Sequence, residues 1–351
     1  MHNTCYINPL YCRPPKKTDR LREAAYLAAV PFIGFYLAAN TAGYLVMPFE
    51  WLYAKLLTVL LQLYAVLTGA PLDAVYYLQS DYTMLICGMI AYVFYLFIPF
   101  FVFAKVRGIP RSETVGKGRP PLSAFAVAVC GGLGIAAVAS YLAQILNAVL
   151  MLFGLEEVES FFLVPYDGVT LVLQILSVAL LPAICEEYAV RGVALRAVEP
   201  TGGTWFAVVY TSVMFALLHG TVLVLPLAIL FGLFAAWLRV RYDSIWPGVL
   251  AHFVINLSSI LFETAVADMA VNRVWIPYTL MNIGYLLLGA AAVLILLAAH
   301  GFSGEELTGF ARRGERSFAS TLGVYLSSPT TIVFLVLTAI SIAYSLAYVG
   351  Y

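Results

Sequence analysis

Three short stretches gather the side chains of this sequence that could do chemistry: EEYAVR at 186–191, FALLH at 215–219 and HFVIN at 252–256. In a helix, residues four apart are neighbours on one face. Glu187 and Arg191 therefore pair, with the acid N-terminal to the base as favoured, and Glu186 points about 100° away from them. His252 and Asn256 share one face of their helix, and Phe215 lies one turn below His219. A carboxylate in a low-dielectric pocket can serve as general base to a water, and a histidine beside it can orient that water or share its proton. Those roles fall to Glu186 and His219. A second histidine with an amide one turn on offers two donors to a tetrahedral oxyanion, which fits His252 and Asn256. The set has the parts for peptide-bond hydrolysis, with Glu187, Arg191 and Phe215 as structural support. The same atoms admit a metal variant, in which Glu186, His219 and His252 hold zinc and water is the fourth ligand. Spacing alone does not choose between the two. The sequence lacks HExxH, and Asn256 reads better as an oxyanion donor than as a prop for a ligand, so no cofactor is favoured and zinc stays the alternative.

Taken singly, each of these residues has an ordinary explanation. A lone histidine at a helix end is usually a packing residue, and a Glu–Arg pair in a membrane helix can be glue between helices. The argument rests on the set, because each ionised group near the middle of a membrane helix costs roughly 2.5 to 3.5 kcal/mol on insertion scales.

The medium follows from composition. Of 351 residues, 62% are hydrophobic and 11% charged, and the mean hydropathy is +0.92. Soluble domains have roughly 45–50% apolar and about 25% charged residues. Apolar segments recur at about 20 residues, the length that crosses a hydrocarbon core of about 30 Å. Candidate spans run over 24–47, 83–106, 122–153, 169–198, 204–221, 222–240, 245–264, 278–299 and 322–349. The expected fold is all-α, a polytopic bundle of about nine helices, in the range of about eight to ten. The segment 49–67, with Glu50, Trp51, Tyr53 and Lys55 before a Gly-Pro turn, reads as an amphipathic interfacial helix. Counted from the nearest basic or loop residue, Glu186, His252 and Asn256 lie about 14–20 Å deep. His219 sits farther along its span, so the turn after it is expected to sink below the outer surface.

Orientation follows the basic clusters. Arg13, Lys16, Lys17, Arg20 and Arg22, the loop 105–119, Arg239 with Arg241, and Arg312, Arg313 and Arg316 fall on one side when the spans alternate. That predicts a multi-pass cell-membrane protein with a cytoplasmic N-terminus. The opposite loops include LEEVESF, where Glu156, Glu157 and Glu159 read as a solvated loop. The net charge of zero says nothing about nucleic acid, and no basic aromatic surface is visible, so no nucleic-acid partner is assigned. The first 23 residues have no apolar core of a signal peptide. The five cysteines (Cys5, Cys12, Cys87, Cys130 and Cys185) form neither a CxxC pair nor an expected disulfide framework. No 20–50-residue period recurs, which weakens an ion-coupled transporter built on repeats. The chain divides into a basic leader (1–23), an N-terminal membrane region (24–165), a chemically loaded four-helix core (166–265) and a C-terminal helix pair (266–351).

EExxxR, FxxxH and HxxxN in order on successive membrane helices resemble the signature of the CPBP family of intramembrane proteases. That family includes the type II CAAX prenyl endopeptidases and bacterial proteins linked to bacteriocin processing or immunity. The resemblance covers about 100 residues. It implies an intramembrane endopeptidase acting on a membrane-associated, prenylated or bacteriocin-like peptide, with Glu186, His219, His252 and Asn256 as its catalytic positions. The family has been described both as glutamic and as metal-dependent. A non-catalytic scaffold or immunity protein on the same core is the rival reading. The partners implied are a peptide or protein substrate and the lipid bilayer, reached through a cavity expected to open toward the cytoplasm. Other protease signatures fail. GFSG at 301–304 lies in a charged loop with no histidine after His300, and Tyr166-Asp167 and Tyr242-Asp243 have no GxGD partner.

Overall fold

The computed structural model describes residues 17–40, 42–69, 81–157, 167–300, 314 and 316–348. Most of the leader, the turn after Gly69, Glu159, Tyr166, the loop with GFSG, Arg312 and Arg313, and the last three residues lie outside the described residues. The helices are α1 (Lys17–Ala28), α2 (Val30–Asn40), α3 (Ala42–Thr68), α4 (Tyr82–Val106), α5 (Leu122–Leu152) and α6 (Gly168–Gly202). They continue with α7 (Thr204–Leu218), α8 (Leu225–Tyr242), α9 (Trp246–Val266), α10 (Val271–His300), α11 (Phe318–Leu326) and α12 (Pro329–Ser345). Two three-residue strands, β1 (Leu155–Glu157) and β2 (Leu346–Tyr348), pair antiparallel. The chain is an all-α polytopic membrane bundle. Among the described residues seven helices are long and apolar enough to cross a bilayer, or eight if α11 and α12, bent by 73°, form one span.

The departures from the expected spans have local causes. The segment 24–47 is not one helix. It breaks at Ala29, two residues before Pro31, which has no N–H to give and crowds the preceding turn. The segment 49–67 is not a separate interfacial helix but the body of α3, whose Met47–Thr68 part is long enough to span and has no share buried in the protein. At 15 residues α7 covers about 22 Å, short of the roughly 30 Å core, so its turn into α8 lies at depth.

Small residues set the close approaches. A Cβ on Gly134 of α5 would stand 2.5 Å from the Gly289 Cα of α10, so both positions need glycine for the backbones to touch. At the ends of α6 and α8 a charged clasp replaces apolar packing. Asp243, left-handed at φ 45°, accepts from Arg239 Nη1 at 2.7 Å and Arg196 Nη2 at 3.0 Å. Burial pushes the Asp243 carboxyl up, but the Arg239 hydrogen bond, the Lys117 N–H and the two guanidinium charges outweigh it and hold it low. At the other end of α6, Asp167 caps the helix by accepting from Thr170 N at 2.7 Å, within a capping box.

The helix that carries the glutamates is irregular. Along α6, Ile175–Leu180 and Tyr188–Ala194 are π-helical, and the α-helical piece Leu181–Glu187 lies between them. Single π turns inside α-helices recur at functional sites because they re-aim side chains.

Candidate active site

Glu186, His219, His252 and Asn256 line one cavity of about 410 Å³, with Pro182, Phe215, Phe231 and Glu263 among the other walls. Glu186 comes from the piece of α6 between the π segments, His219 from the C-terminal cap of α7, and His252 and Asn256 from one face of α9. The structure thus brings the residues chosen from spacing to a common space. The Glu186 side chain is 16% exposed and that of His252 9%. His219 stands exposed at the rim.

His252 is the hub. Its Nδ1 lies 3.2 Å from Glu187 Oε1, and its Nε2 faces Glu186 Oε2 at 3.8 Å. Glu187 Oε1 also accepts from Arg191 Nη1 at 2.9 Å. Glu187 therefore does more than pair with Arg191, because it sets the plane and tautomer of His252. The pair is buried, with each side chain 1% exposed. The Arg191 guanidinium sits over Phe215, 4.7 Å from its centroid, and near Phe231 at 5.7 Å. Its Nε and Nη2 have no hydrogen-bond partner among the described residues, so the aromatic faces meet the charge that hydrogen bonds do not. Gly248 gives this carboxylate room, since a Cβ there would stand 3.1 Å from Glu187 Oε2.

Asn256 Nδ2 donates to the Val178 carbonyl at 3.0 Å. Pro182, four residues on from Val178, cannot give that oxygen the usual helical N–H, so the proline frees an acceptor that fixes the amide. One Nδ2 hydrogen is taken and the other is left for a ligand. Phe215 serves His219 as well as Arg191: its carbonyl is 3.1 Å from His219 Nδ1, and the two rings meet edge to face at 5.0 Å. This leaves His219 Nε2 as the free ring nitrogen. No hydrogen bond joins His219 to Glu186 among the described residues, and the two face the same cavity from different helices.

Beyond Glu186 the cavity walls run toward Val224, Ile260 and Glu263, away from the Arg196, Arg239 and Asp243 clasp. One expectation is corrected here, the reading of Glu157 as part of a solvated loop. Its carboxylate accepts from Val222 N at 3.1 Å and Leu223 N at 2.8 Å, in the turn between His219 and α8. A carboxylate on the orphan N–H groups before a helix start is favoured by charge and geometry. Glu157→Gln, which keeps one acceptor oxygen and loses the charge, is expected to lower turnover about 3- to 10-fold through a looser His219 turn. Steady-state kinetics on the variant is the check, and unchanged kcat would show that the turn holds itself.

Sequence reasoning missed two further residues at the cavity. Tyr92 of α4 donates its hydroxyl to Glu186 Oε1. A tyrosine in an apolar span carries no signal that separates it from packing aromatics. Glu263 lines the far wall seven residues after Asn256, and that helical spacing was a readable signal.

Among the described residues no three His, Cys, Asp or Glu side chains are grouped so as to hold a metal ion. Cys87, Cys130 and Cys185 are free thiols.

Residues 168–258 match the family model described as type II CAAX prenyl endopeptidase Rce1-like, a stretch that runs from the start of α6 into α9 and holds all three motifs. No curated protein and no solved structure matches the chain. Over that stretch, the core of this integral membrane protein is similar to the type II CAAX prenyl endopeptidases.

Proposed function

We propose that the chain is a glutamate-dependent endopeptidase that cuts a peptide lying in or against the membrane. The carrying observation is that Glu186, His219, His252 and Asn256, from three helices, line one cavity. Glu186 takes a proton from the attacking water, and His219, with Nδ1 tied to Phe215 O, turns Nε2 to that water from across the cavity. His252, when doubly protonated, gives one N–H to Glu187 and aims the other into the cavity. With the second Asn256 N–H it stabilises the oxyanion. Atoms and charge then balance: water adds to the carbonyl, its proton goes to Glu186, and collapse of the intermediate returns that proton to the leaving amine. Walls such as Leu227, Phe231, Ile255 and Ile260 suit apolar substrate groups. The basic clusters support a cytoplasmic N-terminus, which leaves the substrate to enter sideways through the bilayer or from the Glu263 end.

The test is cleavage of an apolar reporter peptide by the purified protein in proteoliposomes. His219→Ala and Glu186→Ala are each expected to remove cleavage, and a strong chelator to leave the rate of the unmodified protein unchanged. Full turnover in both variants would sink the protease reading. A rate that collapses with chelator and returns with added zinc would instead overturn its metal-independent form.

A further inference from the structure

We propose that Tyr92 is a positioning residue of the active site, one that holds Glu186 turned so that a single oxygen faces the cavity. This rests on the reading of Glu186 as the general base. Tyr92 lies on α4, outside the 168–258 stretch that matches the family model. It is the residue after which α4 becomes π-helical over Val93–Phe97. Its hydroxyl donates to Glu186 Oε1, and among the described residues it is the group hydrogen-bonded to that carboxylate. Arg191 is taken by the neighbouring Glu187, and His252 Nε2 stands beyond hydrogen-bond reach of Glu186 at 3.8 Å. The two oxygens of Glu186 are therefore inequivalent. Oε1 is tied to the N-terminal region, and Oε2 faces His252 and the cavity. The Tyr92 ring is itself fixed edge-on against Phe35 of α2, with centroids 6.5 Å apart, so the donor is aimed by packing as well as by its own bond.

The consequence is chemical. A donor on the charged form of a carboxylic acid favours that form over the neutral one. A base must be ionised before it can take a proton, so the donor favours the form of Glu186 that the reaction uses. The core by itself carries Glu186 but not this donor, which gives α2 and α4 a part in the reaction.

The experiment is a pH–rate profile of the full-length protein in proteoliposomes with Tyr92→Phe, which keeps the ring and its contact with Phe35. The expected result is a kcat about 10- to 100-fold lower near neutral pH, with KM within about twofold. The acid limb of the profile should move to higher pH, because loss of the donor lets the base protonate sooner, and raising the pH should recover part of kcat. A fluorinated tyrosine at position 92 keeps the shape and strengthens the donor, and it should move the acid limb the opposite way. An acid limb that stays put in both proteins overturns the proposal, even if kcat falls, because a purely structural loss lowers the rate equally at every pH. Glu186→Gln run alongside separates the two levels: if it is inactive while Tyr92→Phe matches wild type, only the role of Tyr92 fails. If it stays active, the reading of Glu186 fails first.

Discussion

Glu186→Gln is expected to lower kcat about 10²- to 10⁴-fold, the range a general base supplies, while the protein keeps its fold and its melting temperature within a few degrees. The substitution is close to isosteric. The amide oxygen still accepts from Tyr92, and the side chain is 16% exposed on the cavity wall, so little packing is lost. What disappears is the capacity to hold a proton. The same change one residue on should read differently, because Glu187 is 1% exposed and bound to both Arg191 and His252. Glu187→Gln is expected to lower stability as well as rate, so the ratio of the two effects separates a residue that reacts from one that holds. Single-turnover cleavage and a thermal melt on each variant make the comparison. Glu186→Gln turning over within tenfold of wild type would remove Glu186 as the base.

That Glu186, His219, His252 and Asn256 share one cavity was legible because charge and imidazole are rare in this lipid-like sequence, so they stood out by type and by four-residue spacing. The partners that tune the set were not. Tyr92 lies 94 residues from the carboxylate it binds and Glu157 65 and 66 residues from the backbone N–H groups it accepts from, and no periodic pattern reports a contact across such distances. The π segments of α6 were hidden for a different reason: their sequences, ILSVAL and YAVRGVA, carry no pattern that separates a π turn from an α turn. The limits of individual spans shifted where length and hydropathy part company. Residues 49–67 looked half-polar because of Glu50 and Lys55, yet one continuous helix carries both charges in its first half and at its middle and runs on into the apolar stretch.

Arg191→Met should destabilise the protein more than any other single change at the site, by about 3–5 kcal/mol, the usual cost of breaking a buried ion pair by removing one partner. The pair is buried on both sides, and the loss falls on Glu187, whose Oε2 has no hydrogen-bond partner among the described residues. With Arg191 gone, the charge on Glu187 is met by His252 alone. The ring is then drawn toward Glu187, and the alignment of Nε2 with the cavity goes with it, so activity falls together with stability. The double variant Glu187→Gln/Arg191→Met distinguishes charge from shape. It removes both buried charges, and methionine fills the slot between Phe215 and Phe231 that the guanidinium occupied. Most of the lost stability is expected to return, because replacing a whole buried pair with neutral groups is often neutral or favourable. Activity should not return with it, since glutamine cannot hold His252 as a carboxylate does. Denaturation in mild detergent together with turnover measures both. If the double variant is as unstable as Arg191→Met, the pair acts by shape rather than charge; if it is as active as wild type, Glu187 has no hold on His252.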